Sequence, residues 1–401
     1  MRLPVLAALV LALLLAPGSA LARRTMTIVT KKFEIPAKTN REVCIYVPLP
    51  AKTDLDVSEI VMQHQGGKGS FASHHLILYA YTGDLAGVEG VKGQAIDDTA
   101  CLEFGDRDPA NLRIVATAQG PSSRQPMPRG TALKLRTVPG AGKVKNAVGL
   151  VVNSHWINGD TRPRKGRAKL KLILAKPANV KRTLQPIFEV VANGAIRVPP
   201  GKVQEVGFRW APGTAPIGNL GTFLSGTLPP EGPACVTWLI GHMHERGTLF
   251  TADLVRQDGS RRRLYTNTRY ADPPSIRFDP PLYVGVGDRI EYNCTHDNAT
   301  HTRLGCEEVA GEAPGVSVTQ LLIANGGFEN VDGSAKICTA AGANPAECPR
   351  FDPAFPERTF TGACVPANLV FGFRSWDEMC ILPGYYFDAD PSAPPEQACV
   401  L

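Results

Sequence analysis

Nowhere does the chain sustain a long helical periodicity. Its apolar residues come in short runs rich in β-branched side chains, separated by turn residues. Lys169-Leu170-Lys171-Leu172 alternates, as a strand with one buried face does, whereas Ala147 to Trp156 is almost continuously apolar, as a strand covered on both faces is. Thr25 to Phe33, Val43 to Val47, Phe71 to Tyr79, Cys235 to Phe250 and Arg289 to Tyr292 read as further strands. With 39 Gly and 34 Pro to punctuate them, these runs predict β-sandwiches rather than helical layers. The length supports about two domains. The expected fold class is all-β: two tandem jelly-roll-like antiparallel β-sandwich domains, at residues 25–178 and 184–395, with the boundary after Lys176-Pro177-Ala178-Asn179.

Residues 1–22 read as a secretory signal peptide, with Arg2, an apolar core from Leu3 to Leu15 and a small-x-small site at Ala20-Leu21-Ala22. The core is short of the roughly 20 residues needed to span a bilayer, and no later run is long enough. We therefore expect export, to the periplasm or outside the cell, and no transmembrane segment. Ten Cys, all beyond residue 22, fit an oxidising compartment. None forms a Cys-x-x-Cys, which argues against a zinc ribbon or a thioredoxin-like site. The net charge of +6 is concentrated in Arg162 to Arg182. Those cations are not interleaved with aromatics, so they read as a solvated edge or linker and predict no nucleic-acid partner.

The chemistry is concentrated in histidines. Of eight, five fall in three compact groups: His74-His75, His155, and His242 with His244. Side chains two apart on a strand share a face, so His242 and His244 can reach one metal while Met243 turns away. Adjacent His74 and His75 would face opposite ways on a regular strand. To share a metal they need a strand end, a bulge or different ring nitrogens. Imidazole suits copper and zinc alike. Met379, in Asp377-Glu378-Met379-Cys380, discriminates, because thioether sulfur favours Cu(I) and is rare at zinc.

These residues, in this order, resemble the copper type II, ascorbate-dependent monooxygenases, the family of peptidylglycine α-hydroxylating monooxygenase and dopamine β-monooxygenase. The resemblance spans roughly residues 30 to 390. It implies two copper ions per chain, ascorbate as reductant and O2 as co-substrate for hydroxylating an activated C–H bond of a small organic molecule. His74, His75 and His155 would hold the electron-supplying copper, and His242, His244 and Met379 the copper where substrate is hydroxylated. It also implies disulfides Cys44–Cys101 and Cys294–Cys380, the second anchoring Met379. The pairing of Cys235, Cys306, Cys338, Cys348, Cys364 and Cys399 stays open, Cys235 with Cys399 being one option. A Cys-rich insertion at about 300–372 is longer than the family pattern, and reads as either a lid or a surface excursion.

Peptidylglycine enzymes place a substrate-binding Arg two residues before the His-x-His, where this chain has Ile240, and their Asn and Tyr after the Met become Ile381 and Pro383. These departures point from peptide amidation towards an apolar or aromatic substrate. The alternative is a non-catalytic copper-binding or redox protein on the same scaffold. A three-His zinc hydrolase lacks a nearby base, since Glu245 would point away from His244 if the strand continues.

Overall fold

The computed structural model describes residues 24–37, 39–49, 54–66, 71–81, 93–97, 112–135, 149–189, 196–198, 201–213, 230–244, 246–270, 273–298, 369–370 and 378–401. The segment 1–22, Cys101 and almost all of the 300–372 insertion lie outside them. Among the described residues the fold is all-β, a β-sandwich of mainly antiparallel sheets, and the only helical element is the single 3-10 turn Pro177–Asn179.

An 11-stranded sheet has as its main path Thr25–Val29, Arg164–Leu174, Leu55–Gln65, Thr131–Leu135, Arg182–Glu189, Cys380–Asp388, Ala234–Ile240 and Ser275–Val284. A five-stranded sheet runs Ala95–Asp97, Thr39–Pro48, Gly149–Asn158, Phe71–Tyr81, Leu112–Gln119. A four-stranded sheet runs Val203–Trp210, Arg289–Asp297, Gly247–Val255, Arg261–Asn267.

The large sheet crosses the sequence boundary near residue 180. After the 3-10 turn, Arg182–Glu189 pairs in parallel with Thr131–Leu135 and antiparallel with Cys380–Asp388. The last strand is therefore central, and Cys380 to Phe387 are all buried. Its side chains serve two apolar clusters, Leu382 and Tyr386 on one side, Tyr385 and Phe387 on the other. The Tyr385 hydroxyl donates to the Val115 carbonyl at 2.6 Å, tying this strand to the first half of the chain.

Alternation along Ala234–Ile240 breaks at Thr237. Ala234 and Val236 face one cluster and Cys235 the other, yet Trp238 rejoins Cys235 and Leu239 rejoins Val236. A register shift between Val236 and Trp238 causes the change of phase. The buried Thr237 hydroxyl is satisfied by donating to the Tyr385 carbonyl at 3.1 Å.

Two disulfides join described residues, Cys294–Cys380 as the resemblance implies, and Cys235–Cys399. Cys44 is also disulfide-bonded. Its expected partner, Cys101, is outside the described residues.

Candidate metal centres

The first histidine group is built by a bulge. Gly149–Asn158 lies between Thr39–Pro48 and Phe71–Tyr81, and its register against the latter breaks at His155. Ser154 opposes Leu76 and Trp156 opposes Ser73, so consecutive His74 and His75 stand against the single His155. That two-against-one arrangement is one of the routes by which adjacent histidines can serve one point. His75 and His155 are buried, their ring centroids 4.9 Å apart at 68°. The His74 side chain lies outside what the structure describes.

His64, absent from the sequence reading, stands beside this pair. Its Nε2 is 2.7 Å from the Ser154 hydroxyl, which also accepts the Trp156 indole N–H at 2.9 Å. The imidazole packs on the Trp156 ring with centroids 4.6 Å apart. The signal that could have found it is period-two alternation: Ile60 and Met62 are fully buried, and His64 is next on that face.

Burial pushes His75 down to about 4, with the Asn153 side chain acting the other way. Burial, reinforced by the nearby His75, pushes His64 down to about 3. Both are thus neutral at neutral pH, which for His75 is the ligating form. In the unfolded chain they titrate near 6.5, so between about pH 6.5 and 4 the unfolded state binds more protons. The metal-free protein should therefore be fully stabilised above pH 6.5 and lose a few kcal/mol per histidine as pH falls through that window, since each tenfold difference in proton affinity between the folded and unfolded chain is worth about 1.4 kcal/mol. Denaturant midpoints at pH 7.5, 5.5 and 4.5 check this. His64→Gln should flatten part of the slope, and an equal slope in that variant would refute the assignment.

The second group follows Ala234–Ile240 directly. His242 and Met243 pair with Ile381 and Cys380. His242 is half-buried, His244 buried, and their ring centroids lie 5.1 Å apart at 84°. Met243 turns into the core, as the strand period requires. Gly241 permits the close approach: a Cβ there would lie 2.5 Å from the Phe250 ring and 2.8 Å from that of Tyr265. Met379 is buried in the same apolar cluster as Met243. Carrying the register one step past Met243–Cys380 sets Met379 opposite His244. Ile240 is half-buried, and Ile381 and Pro383 are buried.

Behind this group lies a buried polar set that sequence reasoning did not single out as functional. The Glu378 carboxylate is fully buried and accepts the backbone N–H of Arg246 at 2.7 Å and of His244 at 3.2 Å. His296 Nδ1 is 3.1 Å from Glu378 Oε2 but off the line of a hydrogen bond. The buried Arg246 guanidinium donates to Asn298 Oδ1 at 2.9 Å.

Among the described residues no three His, Cys, Asp or Glu side chains form a metal-holding group. What the fold brings together is two histidine pairs. The donors fit copper in kind: paired imidazoles in each group, with a buried thioether close in register to the second.

No family model matches the chain, and no curated protein matches it. Among solved structures it is similar to the exported protein XepA of PBSX, at 6% identity over 68% of this chain and 86% of that one, with a TM-score of 0.18. It is also similar to the major capsid protein P2 of bacteriophage PM2, at 10% identity over 68% of this chain and 96% of that one, TM-score 0.22. Likeness at that level carries no argument, and the β-sandwich description rests on the strand pairing.

Proposed function

We propose that the protein is an exported copper-dependent monooxygenase that hydroxylates an activated C–H bond of a small organic substrate, with O2 as co-substrate and ascorbate as reductant. The observation that carries this reading is that His75 meets His155, far from it in sequence, with ring centroids 4.9 Å apart, and that His242 and His244 of the His-x-His segment come within 5.1 Å, at the positions the resemblance implies. Bound copper would supply one-electron redox and dioxygen chemistry. His74, His75 and His155 would hold one ion, and His242, His244 and Met379 the other. Burial keeps His75 neutral and its lone pair available. The half-buried Ile240 would offer apolar surface to substrate, consistent with a substrate that carries no carboxylate to be paired. The disulfides support export to an oxidising compartment. None of the described helical elements is long and apolar enough to cross a membrane.

The test is elemental analysis after copper reconstitution. Two coppers per chain are expected, with His155→Ala and His242→Ala each losing one. One copper or none, insensitive to both changes, would sink the proposal. Ile240, apolar where the family's substrate-holding Arg stands, favours a second reading, a copper protein without turnover. Ascorbate-dependent O2 uptake coupled to formation of a hydroxylated product separates the two.

A further inference from the structure

The ladder that aligns the His-x-His segment with the last strand ends one step too early. Its final pair is Met243 with Cys380, whereas the candidate donors His244 and Met379 lie just beyond it. At that point the Glu378 side chain takes over from backbone pairing. Its two oxygens receive the N–H groups of His244 and Arg246, and its own backbone leads directly into Met379. The turn it grips is closed by the Gly247 N–H donating to the His244 carbonyl at 3.0 Å. It is strapped from outside by the Asp297 N–H donating to the Arg246 carbonyl at 2.9 Å. On the other side of Met379, the Cys380 disulfide reaches Cys294, two residues before His296 on the same strand.

We infer that Glu378 is a positioning residue: its buried carboxylate sets the spacing between the His242–His244 segment and Met379, and with it the geometry in which these side chains can share one metal ion. The inference rests on the copper reading above. A carboxylate with no solvent exposure is costly unless its lone pairs are used, and an apolar side chain of similar volume could be buried at this position without that cost. What the charge adds is direction. Hydrogen bonds to an ionised acceptor are about twice as strong as neutral ones, and of the two made here the one from Arg246 is the shorter, 2.7 Å against 3.2 Å from His244. Here they end on two named amides, one of them belonging to a candidate ligand. Arg246 adds a buried guanidinium to the same turn, fixed to Asn298, whose Nδ2 donates to the Val198 carbonyl at 2.9 Å. Glu378 is thus linked to the strand carrying Cys294 and His296 through Met379 and the disulfide, and to the His-x-His segment through its oxygens.

The experiment uses the full chain loaded with Cu(I), comparing wild type, Glu378→Gln and Met379→Ala by X-ray absorption. Gln keeps the volume and one acceptor, but turns an NH2 towards one of the two amides. Wild type should show a copper–sulfur shell that Met379→Ala lacks. Glu378→Gln should lose most of that shell although Met379 is present, and bind copper at this centre about 10–100-fold more weakly. Copper held by the His75 and His155 group should be unchanged. A shell retained in Glu378→Gln overturns the inference, because a merely stabilising carboxylate would lower the melting temperature and leave the sulfur in place. If wild type itself shows no sulfur shell, the Met379 assignment in the proposed copper centre fails. Amide hydrogen exchange in the metal-free protein then decides the clamp. Exchange at His244 and Arg246 accelerated by about 10-fold or more in Glu378→Gln supports it, and unchanged exchange overturns it. Should Glu378→Gln not fold, Glu378→Asp keeps the charge, shortens the reach by one methylene, and allows the same comparison.

Discussion

Replacing Cys294 and Cys380 together by alanine is expected to lower unfolding free energy by about 4 kcal/mol. The bridge closes a loop of sequence separation 86, and chain entropy assigns a loop of that length about 4–5 kcal/mol, near the top of the measured range of about 2–5 for native disulfides. Both cysteines are fully buried. The bridge also joins the four-stranded sheet to the strand that opens with Cys380. Its removal should therefore be felt at Met379 as well as in global stability. Denaturant unfolding of the double variant measures the first effect, and copper retention at the proposed centre of His242 and His244 the second. A stability loss below about 1 kcal/mol would show that strand pairing alone holds the last strand in register.

A comparable loss, about 3 kcal/mol, is expected from adding a single methyl group at Gly384. This residue lies in the central last strand opposite Leu239 and Ile187. A Cβ there would meet the Trp238 carbonyl oxygen at 2.5 Å, Leu239 Cδ2 at 2.7 Å and Ile187 Cδ1 at 3.4 Å. The nearest of these atoms is backbone, on a strand itself paired on both sides, so it cannot rotate away as a side chain would. Relief requires moving the Ala234–Ile240 strand, and overpacking of this kind costs about 1–3 kcal/mol or more. That strand leads straight into His242, so Gly384→Ala should also weaken the copper binding proposed there. Gly232→Ala is the control: a Cβ at that position meets nothing within 4 Å, and its effect should stay within about 0.5 kcal/mol. Equal melting temperatures for the two variants would refute the close-approach argument.

Much of the fold was legible because strand periodicity is local. The near-continuous run ending at Trp156 is a buried strand, Lys169 to Leu174 alternates as expected, and Met243 turns away from His242 and His244. The Cys294–Cys380 bridge came from the resemblance, and it is present. Other features depend on where distant strands meet. The bulge that sets His74 and His75 against His155 is a property of two strands in register, and either strand alone leaves the directions of adjacent histidines undetermined. His64 enters the first group only because Leu55–Gln65 brings its end to Ser154 and Trp156. Glu378 stands in the sequence as a neighbour of Met379. Its hold on the amides of His244 and Arg246, 134 and 132 residues away, exists only once the last strand inserts beside Ala234–Ile240. By itself, then, the sequence determined the all-β class, the approximate strands and the candidate donors, because side-chain type and period-two patterning suffice for these. Only the tertiary structure decided which donors meet, how the one large sheet crosses residue 180 and what holds the His-x-His segment to Met379, because each is a non-local contact whose partner no local pattern specifies.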